Sequence, residues 1–163
     1  MSILSEDLIE LAARVVAANR ESGRTVALAE SCTGGLVAAA LTEIAGSSAV
    51  LDRGFVTYSN ESKQESLNVP REIIETFGAV SIACAWSMAQ GALNNSRADV
   101  AVAISGIAGP EGGTPQKPVG TVVFARAVRG SEELVAEERL LDGQTRAEIR
   151  RQAALVALEL LLP

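Results

Sequence analysis

The feature of this sequence that most constrains its fold is a pair of short, almost wholly apolar runs, each followed by turn-forming residues. The first, residues 25–29 (TVALA), precedes ESCTGG at residues 30–35. The second, residues 99–104 (DVAVAI), precedes a glycine-rich segment at residues 105–118. Apolar runs of this length that end in turn residues are typical of strands buried on both faces. Such strands occur in sheets that helices cover from both sides.

The remaining apolar residues recur mostly at helical spacing. We expect helices over residues 3–19, 36–44, 71–77, 81–94 and 145–161, and a further helix that carries Lys63 and Leu67 after an N-cap at Ser59 or Asn60. Residues 50–58, 121–128 and 134–141 predict three more strands, the last two joined by a hairpin turn. This order predicts a three-layer α/β/α sandwich with a mixed, mainly parallel central sheet. We interpret residues 1–163 as a single domain.

Composition excludes several classes of function. Hydrophobic residues make up 48% of the chain, aromatic residues only 3%, and the net charge is −6. A nucleic-acid reader needs a basic face and stacking rings, and neither is evident. The first ten residues lack the pattern of a signal peptide, and no apolar run reaches the roughly 18 residues of a membrane span. We therefore expect a cytoplasmic protein that binds neither nucleic acid nor membrane.

The complete absence of histidine limits the chemistry further. It excludes a Ser-His-Asp triad, a Cys-His dyad and histidine–metal sites. Any general base must then be Lys, Asp, Glu, Tyr or a cysteine thiolate. The two cysteines, Cys32 and Cys84, are too few for a disulfide framework.

The turn after the first apolar run contains a candidate nucleophile, Ser31. A residue there lies beside a helix N-terminus, where free N–H groups stabilise an anion. The N–H groups that follow Ser31 are therefore candidates for an oxyanion hole. Two alternatives stay open. In the first, Ser31 or Thr33 only caps the next helix, since caps favour these residue types. In the second, Cys32 is a rival nucleophile, although it has no histidine to deprotonate it.

The segment YSNESK at residues 58–63 contains a candidate base. Lys63 can accept a proton only if burial or nearby cations lower its pKa from the ordinary value of about 10.4. Tyr58 is suited to holding the lysine and serine together or to stabilising charge. The alternative is that Lys63 is an exposed, charged helical residue, as most lysines are.

The glycine-rich segment and the last helix provide candidates for ligand binding. Ligands of open α/β sheets bind at the carboxyl ends of strands, and glycines let a backbone approach a phosphate closely. The segment matches neither the Walker nor the dinucleotide fingerprint, and an ordinary surface loop is the alternative. Arg146 and Arg150, one turn apart, are candidate clamps for a carboxylate or phosphate. Arg53 and Lys117 are second candidates, and a solvated helix face is the alternative for the arginines.

Taken together, six stretches resemble the C-terminal domain family of the competence-damage protein CinA. They follow the family's order and spacing, and the resemblance extends from about Leu4 to Leu161. The stretches are AESCTGG (29–35), GSS (46–48), YSNESK (58–63), GAVS (78–81), SGIAGP (105–110) and KPVGT (117–121).

The resemblance implies a function and a set of site residues. Stand-alone members of the family are nicotinamide-nucleotide amidohydrolases, which convert nicotinamide mononucleotide to nicotinic acid mononucleotide and ammonia without metal or cofactor. It implies that Ser31 is the nucleophile, Lys63 its base and Tyr58 a supporting residue. It also implies substrate contacts from Cys32, Thr33, Gly34, Gly35, Ser48, Ser105, Gly106, Gly109 and Arg146.

Two other functions are compatible with the same sequence. One is the hydrolysis of a different small amide on the same scaffold. The other is a non-catalytic nucleotide- or partner-binding module linked to competence or DNA damage. Because members of the family assemble as oligomers, we also expect a homo-oligomer, a dimer or larger.

Overall fold

The computed structural model describes residues 1–163. Five strands form one open sheet in the order β2-β1-β3-β4-β5. β1 pairs in parallel with β2 and β3, whereas β4 pairs antiparallel with β3 and with β5, so β4 alone runs against the other strands. The sheet is therefore mixed and mainly parallel in strand direction, as predicted. The strands are β1 (Val26–Glu30), β2 (Leu51–Val56), β3 (Val100–Gly106), β4 (Thr121–Val128) and β5 (Val135–Leu140).

Helices cover both faces of the sheet, which confirms the predicted three-layer sandwich. They are α1 (Glu6–Ser22), α2 (Leu36–Thr42), α3 (Asn60–Leu67), α4 (Arg71–Phe77), α5 (Ile82–Asn94) and α6 (Arg146–Leu160), with a 3-10 turn at Ser47–Ala49. Buried residues of α1, α2 and α6 pack on one face, and those of α3, α4 and α5 pack on the other. None of these helices combines the length and the apolar character that crossing a membrane requires.

The two faces of the sheet differ in side-chain size, because successive residues of a strand point to opposite faces. The large-residue face, under α1, α2 and α6, consists of Val26, Leu28, Val100, Val102, Ile104, Val122 and Phe124. The small-residue face, under α3, α4 and α5, consists of Ala27, Ala29, Ala101, Ala103, Val123, Ala125 and Ala127. α5 is itself rich in alanine, and a Cβ added at Gly91 would lie 1.9 Å from the carbonyl oxygen of Leu67. The backbones of α3 and α5 therefore touch.

Most predicted elements appear within a few residues of their expected ends, and helix 71–77 and strand 121–128 have the predicted bounds. One boundary needs correction. Ser105 and Gly106 were expected to open the loop, but they are the last residues of β3 and pair with Val123 and Val122 of β4. Gly106 fits there because a Cβ would meet the side chain of Val122 at 2.7 Å. The glycine therefore serves close packing between strands and does not begin a turn.

Candidate active site

Ser31 and Lys63, predicted from separate motifs, are in direct contact. Ser31 follows the last residue of β1, and its Oγ lies 3.0 Å from Lys63 Nζ. Lys63 lies in the second turn of α3, beside the carboxyl end of β2. Since β1, β2 and β3 are parallel, the segments that follow them meet at one edge of the sheet. This is the edge at which open α/β sheets bind ligands.

Lys63 is a buried amine without a carboxylate partner. Its side chain is 1% exposed, and none of the four salt bridges in the structure includes it. Because burial penalises the charged form, it lowers the pKa of Lys63 from its ordinary value of 10.5. The alternative of an exposed, solvated lysine is therefore wrong for this chain. A buried amine of this kind is suited to accepting a proton.

The remaining contacts of Lys63 favour transfer of a proton from the Ser31 hydroxyl to the lysine amine. Its Nζ also lies 2.8 Å from the carbonyl oxygen of Thr57 and 3.1 Å from that of Tyr58. Carbonyl oxygens can only accept hydrogen bonds, and a neutral amine has two N–H bonds and one lone pair. When Lys63 is neutral and both carbonyls receive an N–H, the lone pair is left for the hydroxyl of Ser31. The geometry then suits transfer of the Ser31 proton to Lys63.

Local backbone bonds set this arrangement in place. The N–H of Thr57 donates to the Glu30 carbonyl at 2.9 Å, which extends the β1–β2 pairing to the two carbonyls that hold Lys63. Ser59 then begins α3, because its side chain accepts from the N–H of Ser62. A cap at this position, four residues before Lys63, turns the lysine towards Ser31 one helical turn later.

The turn that follows Ser31 presents two free amides. The N–H of Gly34 donates to the Ser31 carbonyl at 3.0 Å, so the predicted use of this amide in an oxyanion hole is replaced by an internal bond. Gly34 and Gly35 have φ values of 60° and 97°, which L side chains rarely adopt, and this explains the paired glycines. The N–H groups of Cys32 and Thr33 donate to no acceptor within the chain. They are the candidates that remain for holding an oxyanion.

Cys32 lies next to Ser31 but is a poor nucleophile. It is buried, and burial raises the pKa of its thiol to about 11. Since the thiolate is the nucleophilic form, the thiol stays unreactive at neutral pH. Cys84, on α5, is also buried, and burial raises its pKa in the same direction.

A cleft with a volume of about 250 Å³ opens above the serine–lysine pair. The segment after β3, the start of α3 and the start of α6 form its walls. Eight of the twelve predicted site residues line it: Ser31, Cys32, Tyr58, Lys63, Ser105, Gly106, Gly109 and Arg146. Ser105 donates through its Oγ to the Ala79 carbonyl at 2.9 Å, which leaves the oxygen's lone pairs free. Asn60 and Glu111 also line the cleft and were not predicted.

Tyr58 and Arg146 form the rim of the cleft and do not contact the Ser31 hydroxyl. Tyr58 is 61% exposed, and its hydroxyl accepts a hydrogen bond from Arg146 Nη2 at 2.9 Å. Arg146 Nη1 donates to the Gly109 carbonyl at 2.8 Å, which ties α6 to the glycine-rich segment. Tyr58 therefore supports Lys63 through its backbone carbonyl, while its side chain orients a guanidinium at the mouth of the cleft.

Four predicted substrate-binding residues do not line the cleft of this chain. Ser48 precedes β2 and is exposed, so it lies at the opposite end of the sheet from Ser31, which follows the parallel strand β1. Thr33 is fully buried, which leaves its backbone N–H as its candidate group, and Gly34 and Gly35 shape the turn. Three of these residues are close to Ser31 in sequence and the fourth belongs to a family motif, but none of them lines the cleft.

The second candidate cations are also used elsewhere. Lys117 donates to the carbonyls of Phe77 and Val80, at 3.0 and 2.5 Å, and Arg53 pairs with Asp52. Arg150 donates to the carbonyls of Cys32 and Thr33 from outside the cleft. None of the three therefore projects a free charge into the cleft.

Glu30, to which the sequence assigned no role, anchors the other end of the turn. It is 1% exposed, and its two carboxylate oxygens accept from the N–H groups of Val37 and Ala38 at 3.0 and 3.1 Å. Charged residues are almost never fully buried without partners, and the first turn of a helix supplies such donors. The signal was available in the sequence, as a glutamate placed between an apolar strand and a helix. The structure contains no group of three or more His, Cys, Asp or Glu side chains suited to a metal ion.

The fold and the cleft define a three-layer α/β/α protein with a buried serine–lysine pair at the carboxyl edge of its sheet. Residues 8–163 match the CinA C-terminal domain family, and the chain belongs to that family. This confirms the resemblance found in the sequence.

Individual relatives agree with this assignment. The chain is 50% identical over 155 residues to the nicotinamide-nucleotide amidohydrolase PncC of Escherichia coli K12, a match that covers 95% of this chain and 93% of that protein. It is 60% identical over 112 residues to a putative competence-damage inducible protein of Symbiobacterium thermophilum, of which the match covers 26%. The crystal structure of the competence/damage inducible protein CihA from Agrobacterium tumefaciens has a TM-score of 0.95 and 51% identity. That match covers 99% of this chain and 97% of the other.

Proposed function

We propose that this chain hydrolyses the carboxamide of nicotinamide mononucleotide to give nicotinic acid mononucleotide and ammonia. The observation that carries the proposal is the 3.0 Å contact between Ser31 and the buried, uncompensated amine of Lys63 in an open cleft. Relatives of about half-identical sequence and nearly equal length are named as nicotinamide-nucleotide amidohydrolases, which supports an amide as the bond that is cleaved. The proposal needs no histidine, in agreement with the composition.

Acylation begins with neutral Lys63. It takes the proton of Ser31 as the Ser31 oxygen forms a bond to the carboxamide carbon, and the carbonyl oxygen becomes an oxyanion. The free N–H groups of Cys32 and Thr33 hold this oxyanion, and one such donor supplies about 3–4 kcal/mol. The C–N bond then breaks, and Lys63 returns the proton to the leaving nitrogen, which departs as ammonia. The product of this half-reaction is an ester of Ser31.

Deacylation repeats the sequence with water. Lys63 takes a proton from a water molecule as its oxygen attacks the ester carbon, and the same two amides hold the second oxyanion. The ester bond breaks, the Ser31 oxygen recovers a proton from Lys63, and the carboxylic acid is released. The same amine serves as base and acid in both halves, as microscopic reversibility requires.

The rest of the substrate occupies the cleft. Arg146 stands at the mouth, and the segment from Ser105 to Gly109 forms one wall. A guanidinium and a glycine-rich backbone suit an anionic phosphate. We assign the phosphate to this side, with Tyr58 orienting the guanidinium through its hydroxyl. The homo-oligomeric state, the cytoplasmic location and the single-domain organisation stay predictions.

The test compares Ser31→Ala with wild type for ammonia release from nicotinamide mononucleotide, from free nicotinamide and from simple amides. We expect wild type to act on the mononucleotide and Ser31→Ala to lose about 10³-fold or more of kcat, since the nucleophile is removed. Ser66→Ala is the matched control, because Ser66 is exposed on the helix that carries Lys63 and lies outside the cleft. It should retain full activity.

Each alternative has its own signature in this experiment. Preference for another amide in the panel would replace the substrate and keep the mechanism. Binding of the mononucleotide without ammonia release would favour the non-catalytic module. Ammonia release by Ser31→Ala at the wild-type rate would remove Ser31 from the mechanism.

A further inference from the structure

Arg150 binds the back of the turn that contains Ser31. It lies on α6, at the large-residue face of the sheet, whereas Lys63 reaches Ser31 from the small-residue face. Its Nε donates to the Cys32 carbonyl and its Nη2 to the Thr33 carbonyl, each at 3.0 Å. The side chain is half-buried and does not line the cleft. The guanidinium of Arg150 therefore bonds two successive backbone carbonyls and not a ligand.

Fixing the Cys32 carbonyl also fixes one of the two free amides, the N–H of Thr33. A peptide unit is planar and trans, so its N–H points opposite to its C=O. The Cys32 carbonyl and the Thr33 N–H belong to one such unit. Ser31 and Gly34 close a turn around it through the Gly34 N–H to Ser31 carbonyl bond, so this unit is the central peptide of the turn. If this peptide rotated and lost its hydrogen bond to Arg150, the Thr33 N–H would rotate with it.

Backbone bonds hold the ends of the turn, since the N–H of Gly34 donates to the Ser31 carbonyl at 3.0 Å and that of Leu36 to the Thr33 carbonyl at 3.1 Å. The Cys32 carbonyl, at the centre of the turn, accepts from Arg150 alone. Two consecutive glycines with positive φ follow Thr33, and glycine gives a backbone more freedom than any other residue. Glu30 anchors only the helix beyond these glycines, through Val37 and Ala38. The segment between the two anchors, residues 32–35, is held from the side of α6 by Arg150 alone.

We propose that Arg150 is a positioning residue for amide hydrolysis, which holds the peptide between Cys32 and Thr33 so that the free N–H of Thr33 binds the oxyanion. The inference rests on the proposed function and deepens it. The planar guanidinium suits this task, since it donates two parallel hydrogen bonds in a fixed fork, whereas a lysine ammonium is a point charge on a flexible stem. Charge alone would not reproduce the effect.

The experiment uses Arg150→Lys and Arg150→Ala in the full chain. Arg151→Ala is the matched control, because Arg151 is the next residue of α6, pairs with Asp7 and lies outside the cleft. For Arg150→Lys we expect kcat for nicotinamide mononucleotide to fall about 10- to 100-fold with little change in KM, since misplaced donors act in the transition state. Added guanidinium ion should restore part of the kcat of Arg150→Ala. Thermal unfolding of Arg150→Lys and Arg151→Ala should match wild type.

Three results would overturn the inference. The first is an unchanged kcat in Arg150→Lys. The second is a raised KM with unchanged kcat, which would make Arg150 a substrate contact. The third is a loss of activity that only follows a loss of thermal stability, with no rescue of Arg150→Ala by guanidinium. A structural role would move stability and would not respond to the small cation.

A separate measurement distinguishes this inference from the proposed function. A fluorophosphonate phosphonylates a serine nucleophile and places its phosphoryl oxygen where the oxyanion would lie, whatever the natural substrate. If wild type releases no ammonia from the mononucleotide, the proposed function fails. The phosphonylation rate of Ser31 then tests whether Arg150 is a positioning residue. A slower rate in Arg150→Lys than in Arg151→Ala supports the positioning role, and equal rates overturn it.

Discussion

The two faces of the sheet contribute to the cleft in different ways. On the small-residue face, alanines of the strands meet an alanine-rich α5, and Gly91 lets the backbones of α3 and α5 touch. On the large-residue face, valine, leucine, isoleucine and phenylalanine side chains fill the space between the strands and α1, α2 and α6. The first face contributes Lys63 to the site, and the second contributes Arg146 and Arg150.

The difference shows how small side chains lead to a buried amine. α5 lies on alanines and α3 touches α5, and Lys63 reaches the end of β1 almost fully buried, with its pKa lowered by burial. The arginines of α6 instead extend from a helix that rests on bulky side chains. They meet backbone carbonyls and remain partly solvated. The small-residue face thus contributes a proton acceptor, the amine of Lys63, and the large-residue face contributes the guanidinium groups of Arg146 and Arg150.

Among the changes that test this difference between the two faces, replacing the amine of Lys63 should have the largest effect on kcat. Lys63→Met leaves an unbranched apolar side chain that is one atom shorter and removes the base, so we expect kcat to fall about 10³-fold, within the range for loss of a general base. The protein should stay folded, since an apolar group replaces a group whose charged form burial disfavours. Ammonia release and thermal unfolding measure the two effects. Gln64→Met, next on α3 and outside the Ser31 cleft, is the control, and equal activities would remove Lys63 from the mechanism.

The pH dependence of the same variant checks the physical reason. Burial depresses the pKa of Lys63 below 10.5 in the folded state. The unfolded chain therefore binds more protons between the two pKa values, so wild-type stability relative to Lys63→Met should rise with pH up to 10.5 and level off above it. The kcat/KM of wild type should rise with pH up to the folded pKa. A relative stability that falls over this range would mean that the buried amine is stabilised in its charged form.

Adding one methyl group between α3 and α5 should have the next largest effect. The Cβ of Gly91→Ala would lie 1.9 Å from the Leu67 carbonyl oxygen, and backbone atoms cannot move aside as a side-chain tip can. We expect a loss of about 1–3 kcal/mol in unfolding free energy, because overpacking outweighs the better helix propensity of alanine, about 1 kcal/mol. Urea unfolding measures it, with Gln90→Ala as the control. If Gly91→Ala is as stable as Gln90→Ala, close contact of these helices is not required.

Much of the fold could be predicted because its signals are local. The two apolar runs, the paired glycines and the caps at Ser59 and Ser81 each act within a few residues. The burial of Lys63 could not be predicted in this way, since α3 has the polar sequence NESKQESL. α3 packs closely on α5 at Gly91, which is remote in the chain and whose role is visible only once the helices meet. The motif made Lys63 a candidate base with an exposed lysine as the alternative, and the resemblance then implied its role.

The same reason explains why some of the predicted binding residues do not line the cleft. Arg146 and Arg150 are one helical turn apart and looked equivalent in sequence, yet one lies at the cleft and the other behind the turn. Small rotations around a helix decide which side of a neighbouring loop a side chain meets. Ser48 belongs to a family motif but precedes a strand parallel to β1, so topology places it at the far edge. Strand direction is a property of the sheet and is not encoded near Ser48.

Removing the cysteine beside the nucleophile should have the smallest effect. Burial raises the pKa of Cys32 to about 11, so at pH 7 only about one molecule in 10⁴ carries a thiolate there. We therefore expect Cys32→Ala to keep its kcat within about fivefold of wild type, a barrier change of about 1 kcal/mol. Cys84→Ala is the matched control, as the other buried cysteine. A loss as large as that of Ser31→Ala, confined to Cys32→Ala, would transfer the nucleophilic role to sulfur. Retained activity would show that the small side chain at position 32 serves packing while its amide serves the reaction.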